Sequence, residues 1–379
     1  METTNEQSAR PAINVAAIEK ELTTLWKQAS EEEDSGVVRA SILNLIVYVP
    51  DPAETSDVDD IMMEIAASHP CRIILIIADR KSGEASLTAQ VTSRCSLPTP
   101  TSKQVCCEQI TIRTSEEHMD EVPSAAVPLM ISDLPVYLWW RAVPQVTDKE
   151  LFGRLAEISD RVVIDSSQFN DPRGDLASMA AALGTERWTA LSDLNWARLT
   201  AWRALIASFY DVADYRPLLD QLNKVVIKYA PPSADGSAIA TRALLLGGWL
   251  ASRLGWRLNA GVPSIAEGQA AFEMTDASGR NITIEFARTD RAIEPGHIAH
   301  VMLTSAADAS TVFSVRRSAD GNRIETAVTR DEEKKAQRVL SYEGLSESAL
   351  IARELEIMGH DRVYEQAVQA AAEMINRRQ

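Results

Sequence analysis

The sequence contains no uninterrupted apolar run of the roughly 18 residues that a membrane-spanning helix needs. The stretch from Met1 to Arg10 is polar and has no apolar core of the kind that a secretion signal carries. The chain also has few basic residues for its acidic ones, and its net charge is −16. Such a chain repels phosphate backbones and anionic lipid, which excludes nucleic acid and membranes as expected partners. We therefore expect a cytoplasmic protein.

Cysteine and histidine are both scarce. The four cysteines are Cys71, Cys95, Cys106 and Cys107. No two of them form a Cys-x-x-Cys pair and the five histidines are scattered, so no zinc-ligand spacing occurs and we expect no metal. We expect free thiols, because adjacent Cys106 and Cys107 could form a bridge only with strain. A metal or acid–base role for His297 and His300 is the lesser alternative to ordinary hydrogen bonding.

Recognisable catalytic and cofactor motifs are missing as well. The sequence has no phosphate-cradling glycine loop, no Gly-x-Ser-x-Gly turn and no His-Glu-x-x-His pair. Gly247 and Gly248 fall inside a predicted helix rather than after a strand, and we expect another backbone to pack against them. These absences favour a non-catalytic protein with no catalytic residues and no bound cofactor.

Buried strands and an intervening helix organise the first part of the chain. The apolar runs Ala40–Val49 and Ile73–Ala78 are typical of strands covered on both faces, and helical periodicity runs over Asp57–Ser68 between them. Strand, helix and strand in this order make a βαβ unit with a parallel core. We predict a mobile arm over residues 1–12 and an α/β domain over 13–166, with a mainly parallel sheet flanked by helices.

The pattern changes in the second part of the chain. We predict an α+β domain over residues 167–379, with helices over 171–254, antiparallel strands over 257–329 and terminal helices over 331–377. Short alternating segments separated by turn signals indicate a β-meander in the middle of this domain. The last stretch is rich in Glu, Ala and Arg, which favour helix.

Two adjacent tryptophans end the predicted strand in the motif Asp133–Arg141. Neighbouring side chains on a strand point to opposite faces, so Trp139 and Trp140 cannot bury against the same layer. One of them must meet a second layer, a ligand or another protein. Arg141 follows at the C-terminal end of the strand, where α/β sheets place ligand-contacting groups. A structural role and a site are both open for this motif.

A second motif, Asp193–Arg203, begins a helix predicted over Trp196–Val212. Arg198 and Trp202 stand four residues apart, within reach of a cation–π contact, and Trp196 and Arg203 share another side. The spacing indicates either arginine heads over tryptophan rings on an amphipathic helix, or an anion or partner site built by Arg198 and Arg203.

A third motif, Leu244–Trp256, repeats the spacing of four residues with Trp249 and Arg253. Its two interior glycines favour a buried packing helix over a ligand site, because glycine in a helix mainly permits close approach. Trp249 and Arg253 remain candidates for a contact with a partner.

Five segments in order along the chain resemble the glucose-6-phosphate dehydrogenase assembly protein family, OpcA. They are Arg39–Leu45, His69–Arg72, Asp133–Arg141, Asp193–Arg203 and Gly248–Trp256. The resemblance implies a bacterial cytosolic protein that binds glucose-6-phosphate dehydrogenase and promotes its assembly or activation, with no catalytic activity of its own. It offers no catalytic residues to transfer to this chain.

From the resemblance we predict a non-catalytic assembly factor or allosteric activator of the oxidative pentose phosphate pathway. It would bind the dehydrogenase through an exposed surface of tryptophans and arginines. The nominated residues are Trp139, Trp140, Arg141, Trp196, Arg198, Trp202, Arg203, Trp249 and Arg253. The alternative is a sugar-phosphate-binding enzyme or sensor whose arginine pairs line a cleft between the two domains.

Overall fold

The computed structural model describes residues 13–32, 38–39, 41–81, 86–96, 105–183, 190–232, 238–259, 264–266, 268–342, 344–357 and 359–376. The arm predicted over residues 1–12 therefore lies outside the described residues. The chain divides into two compact units. Unit 1 comprises Met1–Ile164, Trp188–Leu191 and Glu347–Met358, and unit 2 comprises Asp165–Arg187, Ser192–Ser346 and Gly359–Gln379.

Helices and strands are mixed in the first part of the described chain, and strands β10 to β17 follow one another without an intervening helix. The helices are α1 (Val15–Glu32), α2 (Thr55–Ser68), α3 (Val122–Ala126), α4 (Phe152–Glu157), α5 (Pro172–Leu183), α6 (Leu194–Ala197), α7 (Thr200–Ser208), α8 (Arg216–Leu219), α9 (Thr241–Leu254), α10 (Glu347–Glu356) and α11 (Arg362–Asn376). The strands are β1 (Val38–Arg39), β2 (Leu43–Val49), β3 (Cys71–Asp79), β4 (Leu87–Ser96), β5 (Val105–Ser115), β6 (Val136–Trp140), β7 (Arg161–Ile164), β8 (Leu191–Asp193), β9 (Leu222–Tyr229), β10 (Arg257–Leu258), β11 (Ser264–Ala266), β12 (Gln269–Thr275), β13 (Asn281–Arg288), β14 (Ile298–Ser305), β15 (Asp308–Arg317), β16 (Arg323–Arg330) and β17 (Glu333–Ser341). No helix in this part of the chain combines the length and the hydropathy that a bilayer crossing requires.

The first sheet has the strand order β1-β5-β3-β2-β6-β7-β8, with β4 added to β5. Strands β5, β3, β2, β6 and β7 run parallel to one another, while β4 runs antiparallel to β5. Every residue of β2 is buried, and so is nearly every residue of β3. Burial on both faces explains why these strands have continuous apolar sequences rather than alternating ones. The predicted mainly parallel α/β sheet is confirmed.

The second sheet has the order β10-β12-β13-β9-β14-β15-β16-β17, with β11 paired to β12. Its pairs are antiparallel except for β9, which precedes α9 in the chain but inserts between β13 and β14 and runs parallel to β13. Burial alternates along the strands, as in β12 and β15. One face therefore packs on a core and the other does not, which is typical of antiparallel sheets. The predicted α+β arrangement with a C-terminal meander is confirmed.

Helix α9 packs against its neighbours through its two glycines. A Cβ at Gly248 would collide with the backbone oxygen of Ala367 in α11, and one at Gly247 would lie 2.7 Å from the ring of Phe286 in β13. Both approaches are closer than van der Waals contact. The expected close approach of another backbone is confirmed for Gly248, whereas at Gly247 the close neighbour is an aromatic ring.

The terminal helices begin later than predicted. Residues Glu333–Ser341 form strand β17 rather than helix, and α10 begins only at Glu347. Asp331 and Glu332 both have positive φ, 52° and 66°, and they join β16 to β17 in a two-residue hairpin turn. Pairing with β16 supplies hydrogen bonds that outweigh the helical propensity of this charged stretch.

Candidate functional site

The adjacent tryptophans of β6 are both buried inside unit 1. Trp140 stacks on Tyr48 of β2, with 3.8 Å between the ring centroids and 8° between the ring planes. Phe152 of α4 meets the Trp140 ring edge-on at 4.9 Å. Trp139 is 1% exposed and Trp140 is 5% exposed. Each indole therefore meets a layer of its own protein, which is one of the alternatives left open for this motif. Only the assignment of both tryptophans to an exposed partner surface is wrong.

Arg141 lies where β6 ends, as the motif predicted. Its guanidinium carbon is 5.2 Å from the centroid of the Trp139 ring, and one terminal nitrogen is 3.8 Å from the carboxylate of Glu347 in α10. Within the described part of the chain, its Nε and Nη1 are buried and have no hydrogen-bond partner. Buried donors without acceptors cost free energy, so Arg141 is a position where an external acceptor would be stabilising.

The second motif does not form one continuous helix. Helix α6 ends at Ala197 and α7 begins at Thr200, so Arg198 stands in the connection and pairs with Asp165 instead of lying over Trp202. The predicted contact between Arg198 and Trp202 is therefore wrong, because the prediction assumed one unbroken helix. Trp202 itself is 1% exposed and belongs to the core.

The predicted proximity of Trp196 and Arg203 is confirmed. The Arg203 guanidinium carbon lies 3.5 Å from the centroid of the Trp196 ring, and its Nη1 donates to the Trp196 carbonyl at 2.9 Å. The indole nitrogen of Trp196 donates to Asp361 at 2.9 Å, just before α11. Trp196 is only 4% exposed, so its expected exposure is also wrong. This pair anchors α6 within unit 2.

The third motif is the one that reaches the surface. Trp249 is half-buried and Arg253 is exposed, and both lie on α9 four residues apart. Arg253 also donates to the side chain of Gln366 in α11. The two residues border an open groove of about 420 Å³ within unit 2. Other residues along this groove include Ile206, Tyr210, Arg216, Leu219 and Leu303.

A buried hydrogen-bond network leads from the second motif into unit 2. Asp193 caps α6 and accepts from the backbone N–H of Asn195 at 2.9 Å. It also accepts from the hydroxyl of Ser166 at 2.6 Å and from the hydroxyl of Tyr364 at 3.3 Å. Burial, together with the nearby charge of Asp165, raises the pKa of Asp193 to about 6. The hydrogen-bond donors hold the Asp193 carboxylate in place, but its burial removes the water that would stabilise its charge.

Two further arginines, which the sequence analysis did not nominate, lie next to this network. Arg242 in the first turn of α9 donates from Nε to Asn195 Oδ1 at 2.7 Å. Arg198 contacts both carboxylate oxygens of Asp165 at 2.9 Å. Arg317 ends β15, and its guanidinium carbon lies 4.9 Å from the ring centroid of Tyr342.

His297 completes this group. Its Nδ1 lies 3.3 Å from Arg317 Nη1 and 3.2 Å from the carboxylate of the largely exposed Glu294. Burial and the charges of Arg242, Arg317 and Arg198 lower the pKa of His297 to about 3, so its ring is neutral at pH 7. We call Arg198, Arg242, Arg317 and His297 the arginine cluster.

Charge in the arginine cluster also acts on its own members. Burial, followed by the charge of Arg198, lowers the pKa of Arg242 to about 10, which leaves it protonated at pH 7. The sequence did contain a signal for Arg242. A cation in the first turn of a helix is unfavourable next to the positive end of the helix dipole, so its presence there indicates another role. Arg317 gave no such signal, because only the fold of the second sheet brings it to α9.

The sequence motifs of the first unit have structural roles as well. Asn44 is fully buried in β2; its amide donates to the carbonyls of Ile131 and Leu134 and its oxygen accepts from the Ile131 N–H. This ties β2 to the loop that begins the Asp133–Arg141 motif. Cys71 and Cys107 are buried free thiols. In the described part of the chain no group of three or more His, Cys, Asp or Glu side chains could hold a metal ion.

Two protein-family models match the chain. The first describes the N-terminal domain of a glucose-6-phosphate dehydrogenase subunit and matches residues 62–181. The second describes the C-terminal domain of a glucose-6-phosphate dehydrogenase subunit and matches residues 189–368. Together they span most of the chain.

Cyanobacterial proteins named OpcA, of the OxPP cycle, are similar in sequence. The one from Nostoc punctiforme is 36% identical over 195 residues, which make up 51% of this chain and 40% of that protein. The one from Synechocystis is 34% identical over 210 residues, or 55% of this chain and 41% of that protein. The one from Synechococcus elongatus is 28% identical over 333 residues, or 83% and 70%. The match thus spans about two fifths of the first two relatives.

Solved structures show only a distant likeness. A biliverdin reductase from Synechocystis aligns with a TM-score of 0.46 at 8% identity, covering 87% of this chain and 97% of that one. An oxidoreductase from Sinorhizobium meliloti aligns with a TM-score of 0.43 at 11% identity, covering 87% and 88%. At this level the likeness carries no argument about activity.

Proposed function

Because this chain belongs to the family of the glucose-6-phosphate dehydrogenase assembly protein OpcA, we propose that it binds that dehydrogenase and favours its active oligomer. It does so in the oxidative pentose phosphate pathway without a catalytic step of its own. The observation that carries the proposal is the match of two dehydrogenase-associated domain models over residues 62–181 and 189–368.

We extend the proposal to the contact surface, which we assign to Trp249 and Arg253 at the open groove of unit 2. Of the nominated tryptophans, Trp139, Trp140 and Trp202 are in the core and cannot touch a partner directly. Trp249 and Arg253 are accessible, and tryptophan and arginine are the residue types that dominate interface hot spots. The groove offers apolar walls for the centre of a contact and an arginine at its border for the polar rim.

Activation follows from differential binding. A partner shifts the dehydrogenase toward its active oligomer only if it binds that state more tightly than the inactive one. A difference of about 1.4 kcal/mol between the two affinities gives roughly a tenfold shift in the populations. A surface carried on α9 suits this task, because the tight seat of Gly248 against α11 holds the helix in place.

The experiment mixes the purified chain with a bacterial glucose-6-phosphate dehydrogenase and measures co-elution together with the kcat and KM of the dehydrogenase. We expect co-elution and a raised kcat/KM. Arg253→Ala should weaken both by about tenfold or more, as expected for a hot-spot arginine. The matched control is Arg323→Ala, another exposed arginine of unit 2 that pairs with Asp320 in the turn before β16.

The outcomes separate the function from its surface. Absence of both co-elution and any kinetic change would contradict the proposed function. Co-elution that survives Arg253→Ala and Trp249→Ala, in variants that melt as the parent does, would reject the groove and leave the function standing. An equal loss in the Arg323→Ala control would mean that the effect is unspecific charge attraction.

A further inference from the structure

We propose that the arginine cluster, together with the N-terminus of α9, binds the phosphate dianion of a small phosphorylated ligand. The site lies wholly within unit 2 and is separate from the groove assigned to the dehydrogenase. It is therefore a ligand site of the chain itself, whatever the outcome for the dehydrogenase contact.

Buried positive charge without matching acceptors is the first argument. Arg242 is 5% exposed and Arg317 is 8% exposed. Among the described residues Arg242 has one hydrogen-bond partner, Asn195, and Arg317 Nε has none. A guanidinium presents five donors, and burying it without a counter-charge is costly. The cluster therefore holds donors that an added anion would satisfy.

The N-terminus of α9 is the second argument. Ala240 stands at its N-cap position and supplies no side-chain hydrogen bond, and the first turn contains no acidic residue. The first N–H groups of a helix and the positive end of its dipole favour an anion at such a place. The sequence instead puts the cation Arg242 there, which adds to the positive potential rather than neutralising it.

The charge count favours a dianion over a single carboxylate. Two buried carboxylates lie beside the three guanidiniums: Asp165, which pairs with Arg198, and Asp193, which accepts from Ser166, Asn195 and Tyr364. The imidazole of His297 is neutral, and the carboxylate of Glu294 is largely exposed to solvent. Arg242 and Arg317 remain without a carboxylate among the described residues. A phosphate monoester or inorganic phosphate carries about two negative charges at neutral pH and matches this surplus.

The experiment titrates the full-length chain with inorganic phosphate and, separately, with glucose 6-phosphate, by calorimetry and by thermal melting. Glucose and sodium chloride at matched ionic strength serve as controls. We expect saturable binding and a raised Tm with at least one phosphate-bearing probe, and no change with glucose or chloride. Similar affinity for both probes would assign recognition to the phosphate alone, whereas at least tenfold tighter binding of glucose 6-phosphate would assign additional contacts to the sugar.

Variants test whether the arginine cluster is the site. Arg317→Met keeps an apolar stem against Tyr342 and removes the unpartnered charge, and we expect it to weaken phosphate binding at least tenfold while the chain still folds. Arg242→Gln keeps a donor for Asn195 and should weaken binding as much. The control Arg323→Gln should bind as the parent does.

Failure to bind either probe in the parent chain overturns the proposal without any variant. Binding that is unchanged in a folded Arg317→Met variant also overturns it, because the site would then lie elsewhere. These results are distinct from those of the dehydrogenase experiment, since the titrations contain no dehydrogenase.

Discussion

Arg72 of unit 1 and Arg317 of unit 2 are buried to a similar degree but have very different surroundings. Arg72 is 4% exposed in β3 and donates to the carboxylate of Glu108 at 2.6 Å, to Glu19 at 2.9 Å and to the carbonyl of Leu129 at 2.8 Å. Arg317 faces a ring and a neutral imidazole, and its Nε is unpartnered among the described residues. Burial alone therefore does not separate a structural arginine from a binding one. The acceptors around the guanidinium do.

Removing Arg72 should have the largest effect on stability. Arg72→Met removes the arginine that pairs with both Glu19 and Glu108. The Glu108 carboxylate, which is 1% exposed, then stays in the core without its arginine. We expect a loss of about 3–5 kcal/mol in the free energy of unfolding, as for other broken buried pairs. Urea unfolding followed by circular dichroism measures it. A loss below about 1 kcal/mol would show that the ion pair is not what stabilises this part of unit 1.

The buried carboxylate of Asp193 should make stability depend on pH. Its pKa rises to about 6 from the ordinary value of 3.8, so the folded chain holds more protons than the unfolded one between pH 4 and 6. The free energy of unfolding therefore falls as pH rises through this window, and above pH 6 the full cost is about 3 kcal/mol. Asp193→Asn should remove that slope.

The measurement for Asp193 is urea unfolding at intervals from pH 4 to pH 7. The relevant quantity is the difference in pH slope between parent and variant, because Asn also loses hydrogen bonds at every pH. Asp290→Asn, at an exposed carboxylate, provides the control for the loss of one negative charge. Parallel profiles for parent and Asp193→Asn would reject the raised pKa.

Removing the Arg317 charge should affect stability least, and with the opposite sign to Arg72. In the absence of phosphate, Arg317→Met relieves repulsion from Arg242 and removes an unsatisfied donor, so we expect unfolding to cost about 1 kcal/mol more. A Tm scan of the phosphate-free protein checks this. A marked drop in Tm would mean that Arg317 is held by the fold as Arg72 is, and would remove the contrast between them.

Much of the fold could be predicted from local patterns. The continuous apolar runs of β2 and β3 identified buried parallel strands, since no other element of that length hides both faces. The antiparallel strands predicted over 257–329 were indicated by alternation and turn signals, and β12 and β16 fall in that range to within a residue. Strand β17 was missed because its charged residues favour helix locally, and only the pairing with β16 decides between the two.

The candidate sites were harder to predict, because spacing along one helix misleads when the helix breaks. Arg198 was placed beside Trp202 by a repeat that ends at Ala197. The tryptophans of β6 were correctly expected on opposite faces, yet their exposure depended on which layers the rest of unit 1 supplies. Arg317 and His297 could not be associated with α9 from their positions in the chain.

Charge pattern and hydrophobic periodicity depend on residues that are close in sequence. The sequence alone was therefore enough to predict the fold class, the parallel and antiparallel sheets and the family. Which charged side chains lack a partner is decided by the tertiary structure. Arg242 lies 75 residues before Arg317, and the charge of Arg317 acts on Arg242 only because of the fold of unit 2. Desolvation and Coulomb forces act over a few ångströms, regardless of the order of the chain, and so the arginine cluster exists only in the folded protein.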